Sequence, residues 1–234
     1  MVNIWPNIAH WFGSACRLCN APADGVCQAC LAELPRNRNA CVRCALPLGT
    51  TSTSLCGECL RHPPTFDRAV APLLYVAPVD DLIAGFKYHH RLADGRFLAD
   101  LLAGELARRE PFPQLLLPMP SSARRLRERG FNQAAELTRR LARQLGIEWS
   151  TAALRRGDGA RPQRGLGRAA RLRNLQGAFA AAAGLPSHIA LVDDVITTGA
   201  TVEAASRALR EAGVQQIEVW AIARTPRARR TTAP

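Results

Sequence analysis

Between residues 66 and 225, short apolar runs alternate with longer stretches in which apolar residues recur every three or four positions. The short runs have the length of buried strands, and the longer stretches have the period of helices with one buried face. Strand candidates lie at residues 69–76, 114–119, 189–192 and 216–223, and helix candidates lie at residues 80–88, 97–109, 134–145 and 202–212. Strands that alternate with helices along a chain predict a mostly parallel α/β sheet with crossover helices.

Residues with capping preferences mark the ends of three helix candidates. Asp80 and Asp81 precede an apolar stripe and are predicted to cap the helix that follows them. Gly146 and Gly213 stand directly after two other stripes, where glycine commonly ends a helix. These signals support the division of the region into separate helices and strands.

Residues 1–65 follow neither pattern and contain all eight cysteines of the chain. The cysteines form four Cys-x-x-Cys pairs, which are Cys16/Cys19, Cys27/Cys30, Cys41/Cys44 and Cys56/Cys59. Two such pairs supply the four thiolates of a tetrahedral structural zinc site, so the sequence predicts two zinc ions. The gaps of seven and eleven residues fit two sequential ribbons, and a cross-braced pairing fits as well. A disulfide framework is disfavoured, because the 175 residues after the last pair contain no cysteine and no export signal is evident.

These patterns divide the chain into three parts. Residues 1–65 are predicted to be a zinc-ribbon module that ends in a linker at residues 62–65, residues 66–225 the α/β domain, and residues 226–234 a basic tail. No stretch reaches the roughly 18 uninterrupted apolar residues that a transmembrane helix needs. The N-terminal residues lack the positively charged start of a secretory signal, so we expect a soluble, cytoplasmic protein.

The strongest chemical signal follows the strand candidate at residues 189–192. Two carboxylates, Asp193 and Asp194, come first, and a hydroxyl loop at residues 197–201 leads into the next helix. Backbone N–H groups and hydroxyls at a helix N-terminus suit a phosphate monoester, while neighbouring carboxylates accept hydrogen bonds from vicinal sugar hydroxyls. An ordinary helix cap needs only one such residue, so a sugar-phosphate site is favoured over a cap.

This run resembles the 5-phosphoribosyl-1-pyrophosphate (PRPP) motif of type I phosphoribosyltransferases, in which two acids and two variable residues precede Thr-Thr-Gly-x-Thr. Other stretches resemble the narrower ComF (competence protein F) family: Phe86-Lys87-Tyr88, residues 117–121 leading to residues 129–133, and a spaced set of Arg155, Gln163, Arg171, Asn174 and Phe179. With the cysteine pairs, the resemblance spans residues 16–225. It implies a zinc-ribbon module on a phosphoribosyltransferase-like domain. It also implies the handling of single-stranded DNA during natural transformation, together with a helicase-like DNA-uptake component.

The resemblance further implies roles for individual residues. Asp193 and Asp194 would hold ribose hydroxyls, and the 5-phosphate would be held by Thr197, Thr198, Gly199, Ala200 and Thr201. Residues 118–125 would correspond to the pyrophosphate loop, and the residues assigned to that anion site are Lys87, Ser121, Ser122, Arg124 and Arg129. Two prolines in this segment either fix an unusual loop backbone or only end the strand. Mg²⁺ would accompany PRPP as a substrate.

Positive charge is concentrated beside these motifs. The net charge is +12, and 30 of the 31 basic residues are arginine, a bias that the codon usage of a GC-rich genome also explains. Residues 121–173 hold fourteen arginines against four acids, which is +10 of that total. Such a belt favours a polyanionic partner. The predicted contacts to single-stranded DNA are Arg155, Arg156, Arg161, Arg164 and Arg171, and a merely solvated loop is the alternative.

Three functions fit these features. The first is a nucleic-acid-handling protein that uses its phosphosugar pocket for a phosphate end or a nucleotide. The second is an active phosphoribosyltransferase of nucleotide metabolism, and the third is a regulator that senses PRPP without chemistry. The sequence contains no residue set for a particular nucleobase or amide acceptor, so the first function is favoured.

Overall fold

The structure is a computed structural model, and it describes residues 15–23, 25–49, 53–157 and 177–227. These residues contain seven helices and eight strands. A region with two four-cysteine clusters comes first and an α/β domain follows, so the predicted order of the two units is confirmed. The division of the chain at residue 65 stays a prediction.

Two short helices belong to the cysteine-rich region, α1 at Gln28–Glu33 and α2 at Gly57–Arg61. Each begins directly after a cysteine whose Sγ accepts the backbone N–H three residues later, at 3.5 Å. A lone β-bridge precedes each helix, and the two bridges, Ala15 with Pro22 and Ala40 with Pro47, are 25 residues apart. The region is thus built as two copies of one ribbon unit.

The α/β domain contains one parallel sheet. Its strands are β1 at Arg68–Val70, β2 at Leu73–Leu74, β3 at Leu115–Pro118, β4 at Glu148–Trp149, β7 at His188–Ile196 and β8 at Gln216–Arg224. The order across the sheet is β1, β8, β7, β3, β4, with β2 also on the edge of β8, and every pairing is parallel. Two further strands, β5 at Leu154–Arg156 and β6 at Phe179–Ala181, pair with each other in antiparallel fashion. The predicted mostly parallel sheet is confirmed.

Helices cover both faces of this sheet. One face carries α3 at Val79–Tyr88, α4 at Leu92–Leu106 and α6 at Gln133–Leu145, and the other carries α7 at Ala200–Glu211 together with β5 and β6. A short helix, α5 at Ala123–Arg129, connects β3 to α6. Because both faces are covered, β7 and β8 are buried along almost their whole length. None of the described helices is both long and apolar enough to cross a membrane.

Two strand predictions differ from the structure by more than one residue at an end. The strand predicted at residues 69–76 is interrupted between β1 and β2. At the interruption, Asn37 of the cysteine-rich region donates its side-chain amide to the oxygen of Ala71 at 3.0 Å, and its backbone N–H to the oxygen of Pro72 at 2.8 Å. The second difference is β7, which is nine residues long and includes both predicted carboxylates.

The predicted capping role of Asp80 and Asp81 is wrong. Helix α3 begins at Val79, and its N-cap residue, Pro78, makes no side-chain capping hydrogen bond. Both carboxylates lie in the first turn instead, where their charge favours the positive end of the helix dipole. Gly146 does end α6 as predicted, with a left-handed φ of 68°.

The cysteine-rich region contacts the domain at several places, among them the sheet edge and α4. At the sheet edge, the N–H of Leu74 in β2 donates to the oxygen of Pro35 at 2.8 Å. At α4, Arg17 pairs with Asp94 at 2.9 Å. Asp94 is 2% exposed and also pairs with Arg91 at 3.0 Å, so its buried charge has two cationic partners.

Gly95→Ala tests the packing of α3 on α4. A Cβ at Gly95 would stand 2.5 Å from ring carbons of Phe86, which is buried, so this variant should lower the free energy of unfolding by about 1–3 kcal/mol. Gly104→Ala is the matched control in the same helix. Its added Cβ meets nothing within 4 Å, and helix propensity should raise the free energy of unfolding by up to about 1 kcal/mol. Urea denaturation measures both changes, and a stabilised Gly95→Ala variant would contradict the packing.

Candidate functional site

A cleft of about 210 Å³ opens at the carboxyl ends of β3 and β7. Parallel strands end at the same edge of a sheet, so residues far apart in the sequence meet there. The lining side chains include Lys87, Tyr88, Ser121, Arg125, Arg129, Asn132, Gln133, Arg156, Asp193, Asp194, Thr197 and Thr201. A larger groove of about 920 Å³ lies between the cysteine-rich region and β1, but neither the carboxylate pair nor the hydroxyl loop lines it.

The acidic part of the cleft is formed by Asp193 and Asp194 near the end of β7. Asp194 is 9% exposed, and its Oδ1 lies 2.7 Å from Nζ of Lys87 in the last turn of α3. Asp193 accepts the backbone N–H of Asp194 through Oδ1 at 2.9 Å. The structure thus pairs Lys87, which was predicted to lie in the anion site, with Asp194, one of the two carboxylates predicted to bind ribose.

The environment of Asp193 changes its protonation. Burial and the negative charge of Asp194 raise the pKa of Asp193 to about 7, although the ammonium of Lys87 acts in the opposite direction. A carboxylate accepts more hydrogen bonds than a carboxylic acid, which also carries a donor. The capacity of this side chain to accept hydrogen bonds from sugar hydroxyls therefore changes near neutral pH.

The hydroxyl loop at residues 197–201 faces two directions. Gly199 is the N-cap residue of α7 and has a φ of 80°, a left-handed backbone that glycine adopts without strain. Thr197 and Thr201 line the cleft, while Thr198 and Gly199 line a smaller pocket against the cysteine-rich region. Ala200 is buried at the start of the helix. Because the first N–H groups of a helix have no intrahelical acceptor, this end of α7 presents donors to an anion.

A second part of the cleft is basic and holds unpaired donors. Arg129 donates to Oε1 of Gln133 and to the hydroxyl of Tyr88, both at 3.0 Å, and its guanidinium lies 4.7 Å from the centre of the Tyr88 ring. Gln133 is 2% exposed, yet its Nε2 has no hydrogen-bond partner within the described part of the chain, and neither has Nε of Arg129. A buried donor without an acceptor costs about 1–3 kcal/mol. These two nitrogens point to a ligand that brings acceptor oxygens.

Arg156 of β5 joins this basic part. Burial lowers the pKa of its guanidinium, and the positive charge of Arg125 acts in the same direction. Its guanidinium carbon lies 5.5 Å from the centre of the Phe179 ring. Since arginine stays protonated in proteins, an anion beside Arg125 and Arg156 would relieve their repulsion.

Some residues of the predicted pyrophosphate loop reach the cleft and others do not. Ser121 lines it, and its hydroxyl donates to Oδ1 of Asn132 at 3.1 Å. Ser122 instead caps α5, where its Oγ accepts a backbone N–H at 3.3 Å. Arg124 is exposed outside the cleft and lies 3.5 Å from Glu128. Neither proline of the loop follows a cis peptide bond.

Two of the five arginines predicted to contact single-stranded DNA lie within the described residues. Arg155 is exposed, whereas Arg156 lines the cleft, since neighbouring residues of a strand point to opposite faces. Arg161, Arg164 and Arg171 lie outside the described residues.

Sequence reasoning gave no individual role to four polar residues that line the cleft: Tyr88, Arg125, Asn132 and Gln133. Three of them belong to the short motifs around Lys87 and Arg129, so their position in those motifs was a usable signal. Arg125 ends the segment 118–125 that was matched to the pyrophosphate loop, but nothing singled it out among the arginines there. Only its place on α5 separates it from its neighbour Arg124.

The eight cysteines form two clusters in sequential pairing, and within each cluster the sulfur atoms lie within 4.8 Å of one another. The first cluster is Cys16, Cys19, Cys27 and Cys30, and the second cluster is Cys41, Cys44, Cys56 and Cys59. Sγ of Cys19 lies 3.7 Å from Sγ of Cys27, and Sγ of Cys44 lies 3.7 Å from Sγ of Cys56. A tetrahedral zinc ion with bonds of ~2.3 Å requires about 3.8 Å between sulfurs. The clusters fit two structural zinc ions, and the cross-braced alternative does not occur.

Backbone N–H groups favour the thiolate form that binds metal. The N–H groups of Cys27 and Leu18 lower the pKa of Cys16 to about 6. In the second cluster, burial alone would raise the pKa of Cys41, but N–H groups led by that of Cys56 bring it to about 7. Each cluster therefore contains one cysteine that loses its proton readily.

Comparison with known proteins connects both parts of the chain to characterised sequences. Residues 8–60 match the Double zinc ribbon domain family. The DNA utilization protein YhgH of Salmonella typhi is 34% identical over 220 residues, which cover 90% of this chain and 96% of that protein. Competence protein F of Haemophilus influenzae is 35% identical over 210 residues, which cover 86% of this chain and 91% of that protein.

Among solved structures, the chain is similar to a purine phosphoribosyltransferase from Pyrococcus horikoshii, with a TM-score of 0.37 and 14% identity over 60% of this chain and 93% of that one. It is also similar to an adenine phosphoribosyltransferase from Leishmania tarentolae, with a TM-score of 0.31 and 14% identity over 58% of this chain and 74% of that one.

Asp193→Asn should raise the free energy of unfolding, and by more at higher pH. The pKa of Asp193 is about 7 in the folded protein, against ~3.9 in an unfolded chain, so the folded state retains a proton that the unfolded state has lost. The wild-type protein should therefore lose stability as the pH rises from about 4 to about 7. The advantage of the variant should grow by about 2 kcal/mol between pH 5.5 and pH 8, measured by urea denaturation. An advantage that is constant over this range would contradict the raised pKa.

Proposed function

Since this chain belongs to the ComF family of DNA utilization and competence proteins, we propose that it handles single-stranded DNA during natural transformation and binds a 5-phosphoribose group in its cleft. The family supplies the involvement with DNA. The residues of the cleft support the proposed binding of a 5-phosphoribose group, because their chemistry fits that ligand.

The observation that carries the proposal is the union of three ligand-binding elements in one cleft: the carboxylate pair, the N-terminal end of α7 and the basic part around Arg129. Asp193 and Asp194 accept hydrogen bonds from ribose hydroxyls. Thr197, Thr201 and the first N–H groups of α7 bind the 5-phosphate. A simple phosphate site would have no use for a buried and a half-buried carboxylate, whereas a sugar phosphate needs both kinds of contact.

The basic part binds a second anionic group of the same ligand. Arg125, Arg129 and Arg156 supply positive charge, and the free Nε2 of Gln133 donates to an oxygen. In a nucleic-acid strand this group is the neighbouring phosphodiester, and in PRPP it is the pyrophosphate. Lys87 can serve either the carboxylates or the anion, because its ammonium pairs with Asp194 and a phosphate oxygen of the ligand competes for it.

The proposed DNA path follows the arginine belt at residues 121–173. Arg155, Arg161, Arg164 and Arg171 track the phosphate backbone, and their guanidinium planes stack on bases. The helicase-like DNA-uptake component passes the strand to this belt. The protein works in the cytoplasm, where thiols stay reduced and both cysteine clusters hold zinc.

An active phosphoribosyltransferase is the second candidate function. The donors of Arg129 and Gln133 favour it, because they fit a pyrophosphate leaving group. Mg²⁺ would accompany PRPP in that reaction, bound by carboxylates and substrate phosphates. Release of pyrophosphate from PRPP in the presence of a panel of bases and amines would favour this candidate. No release, with ribose 5-phosphate still bound, would favour a DNA-handling or sensing role.

Ribose 5-phosphate should bind through the carboxylate pair. Asp193→Asn with Asp194→Asn should weaken its binding by about 1.5–3 kcal/mol, or more than tenfold, because two hydrogen-bond acceptors for hydroxyls become weaker. Asp80→Asn with Asp81→Asn is the matched control, since Asp80 and Asp81 are also consecutive, and Oδ1 of Asp80 accepts the N–H of Asp81 at 3.0 Å, but neither residue lines the cleft. Calorimetry measures the affinities. If both double variants bind as tightly as the wild type, the assigned ribose site is wrong.

Single-stranded DNA should bind with an affinity that falls steeply with salt, by about 0.7 logarithmic units per decade for each phosphate contact. Replacing Arg155, Arg161 and Arg164 with alanine, with Arg156 kept, should reduce this slope by about 2. The control variant replaces the exposed residues Arg61, Arg96 and Arg108 and removes the same charge. Fluorescence anisotropy of a labelled oligonucleotide at several salt concentrations gives the slopes, and equal slopes for the two triple variants would refute a DNA path along the belt.

A further inference from the structure

We propose, building on the phosphate site assigned above, that the second cysteine cluster positions the hydroxyl loop through Arg224, so that zinc binding and phosphate binding strengthen each other. Arg224 then acts as a positioning residue, since it does not line the cleft itself.

Arg224 connects the cluster and the loop through backbone carbonyl groups. It is the last residue of β8 and is 6% exposed. Its Nε donates to the oxygen of Cys44 at 3.1 Å. Its Nη1 donates to the oxygen of Ile196 at 2.8 Å and to the oxygen of Thr197. One buried guanidinium therefore holds a carbonyl of the cysteine knuckle and two carbonyls at the point where β7 enters the loop.

The position of the Cys44 carbonyl depends on the turn that runs from Cys41 to Ala45. Ala45, the next residue, has a positive φ of 55°, and its N–H donates to the oxygen of Cys41 at 2.8 Å. A non-glycine residue keeps this left-handed backbone only where its surroundings hold it. Thiolate–zinc bonds at Cys41 and Cys44 would hold it, so loss of the metal releases the carbonyl that Arg224 binds.

A second connection joins the segment after the second cluster to the helix that follows the loop. Thr65 follows α2 and donates its backbone N–H and its hydroxyl to the two carboxylate oxygens of Glu203, at 3.0 and 2.7 Å. Glu203 is buried in the first turn of α7, directly after the loop. The loop is thus fixed before its first residue by Arg224 and after its last residue by Glu203.

The second cluster and the loop are also close in space. Cys44, Cys56 and Cys59 line the same small pocket as Thr198 and Gly199, and this pocket holds only about 30 Å³. Among the described residues, the first cluster has no such contact with the loop. Its described links to the domain include Arg17, which pairs with Asp94 on α4, and Leu18, which packs on the core.

Arginine suits this position for a geometric reason. Its planar guanidinium carries five N–H donors in a fixed fork, so it can satisfy carbonyl groups from two segments at once, which the ammonium of lysine cannot do with the same geometry. Coupling between two sites is reciprocal in its free energy. Whatever factor zinc adds to phosphate affinity, phosphate adds to zinc affinity.

Arg224→Met should weaken ribose 5-phosphate binding about tenfold, which lies within the usual range for coupled sites. Arg68→Met is the matched control, because Arg68 pairs with Glu218 of the same strand at 2.7 Å, near the opposite end of β8. Its affinity for ribose 5-phosphate should equal that of the wild type. Equal affinity for all three proteins, measured by calorimetry, would overturn a positioning role for Arg224.

Amide hydrogen exchange provides a readout that needs no ligand. Arg224→Met and Cys56→Ser should both speed exchange at residues 196–202. Cys27→Ser should leave that segment unchanged, since Cys27 occupies in the first ribbon the helix-capping place that Cys56 occupies in the second. Zinc content, measured by mass spectrometry, confirms that each cysteine variant has lost metal, and Arg224→Met decides the question if Cys56→Ser does not fold.

The outcomes separate this inference from the proposed function. If the wild-type protein binds no ribose 5-phosphate while Arg224→Met still speeds exchange at the loop, the ligand assignment fails and the link between cluster and loop stands. If exchange at residues 196–202 is the same in the wild type and in Arg224→Met, the link is refuted whatever the ligand does.

Discussion

The parallel pairing of β7 with β8 is the interaction on which both the cleft and its support depend. Eight residue pairs in register, from His188 with Gln216 to Ile196 with Arg224, bring the carboxyl ends of the two strands to one edge of the sheet. At that edge β7 contributes the carboxylate pair, and β8 contributes the guanidinium that binds the start of the hydroxyl loop. A slip of one residue would turn every side chain of a strand to the opposite face and separate these groups.

The cleft is a site of mixed charge within a basic protein. Nearly all of the net positive charge falls within residues 121–173, yet the buried end of the cleft holds two carboxylates and the single lysine of the chain. A surface that only attracts a polyanion gains nothing from buried carboxylates, because their desolvation is costly. In the proposed function, these carboxylates accept hydrogen bonds from a neutral, hydroxyl-bearing part of a ligand next to its anionic parts.

The sequence predicted the elements whose signals are local. The Cys-x-x-Cys pairs, the strand–carboxylate–hydroxyl pattern and the glycine after α6 each depend on a few neighbouring residues, and the structure has the clusters, the strand and the helix end there. It could not predict what tertiary packing decides. The choice between Arg124 and Arg125, the pairing of Lys87 with Asp194 and the burial of Gln133 all depend on contacts between segments far apart in the chain. The capping role of Asp80 and Asp81 failed because the helix begins one residue earlier, after a proline.

The contact between Cys44 and Arg224 joins the backbone oxygen of Cys44 to the side chain of Arg224. Every amino acid carries a backbone oxygen, so the identity of the residue at the cluster end does not limit this contact. Correlated substitution between two positions arises when both side chains must match, and here only one of them matters. A covariation survey of related sequences would therefore not detect this link between the ribbon and the loop, even if it transmits much of the coupling between them. Contacts between a side chain and a backbone group have to be found in a three-dimensional structure.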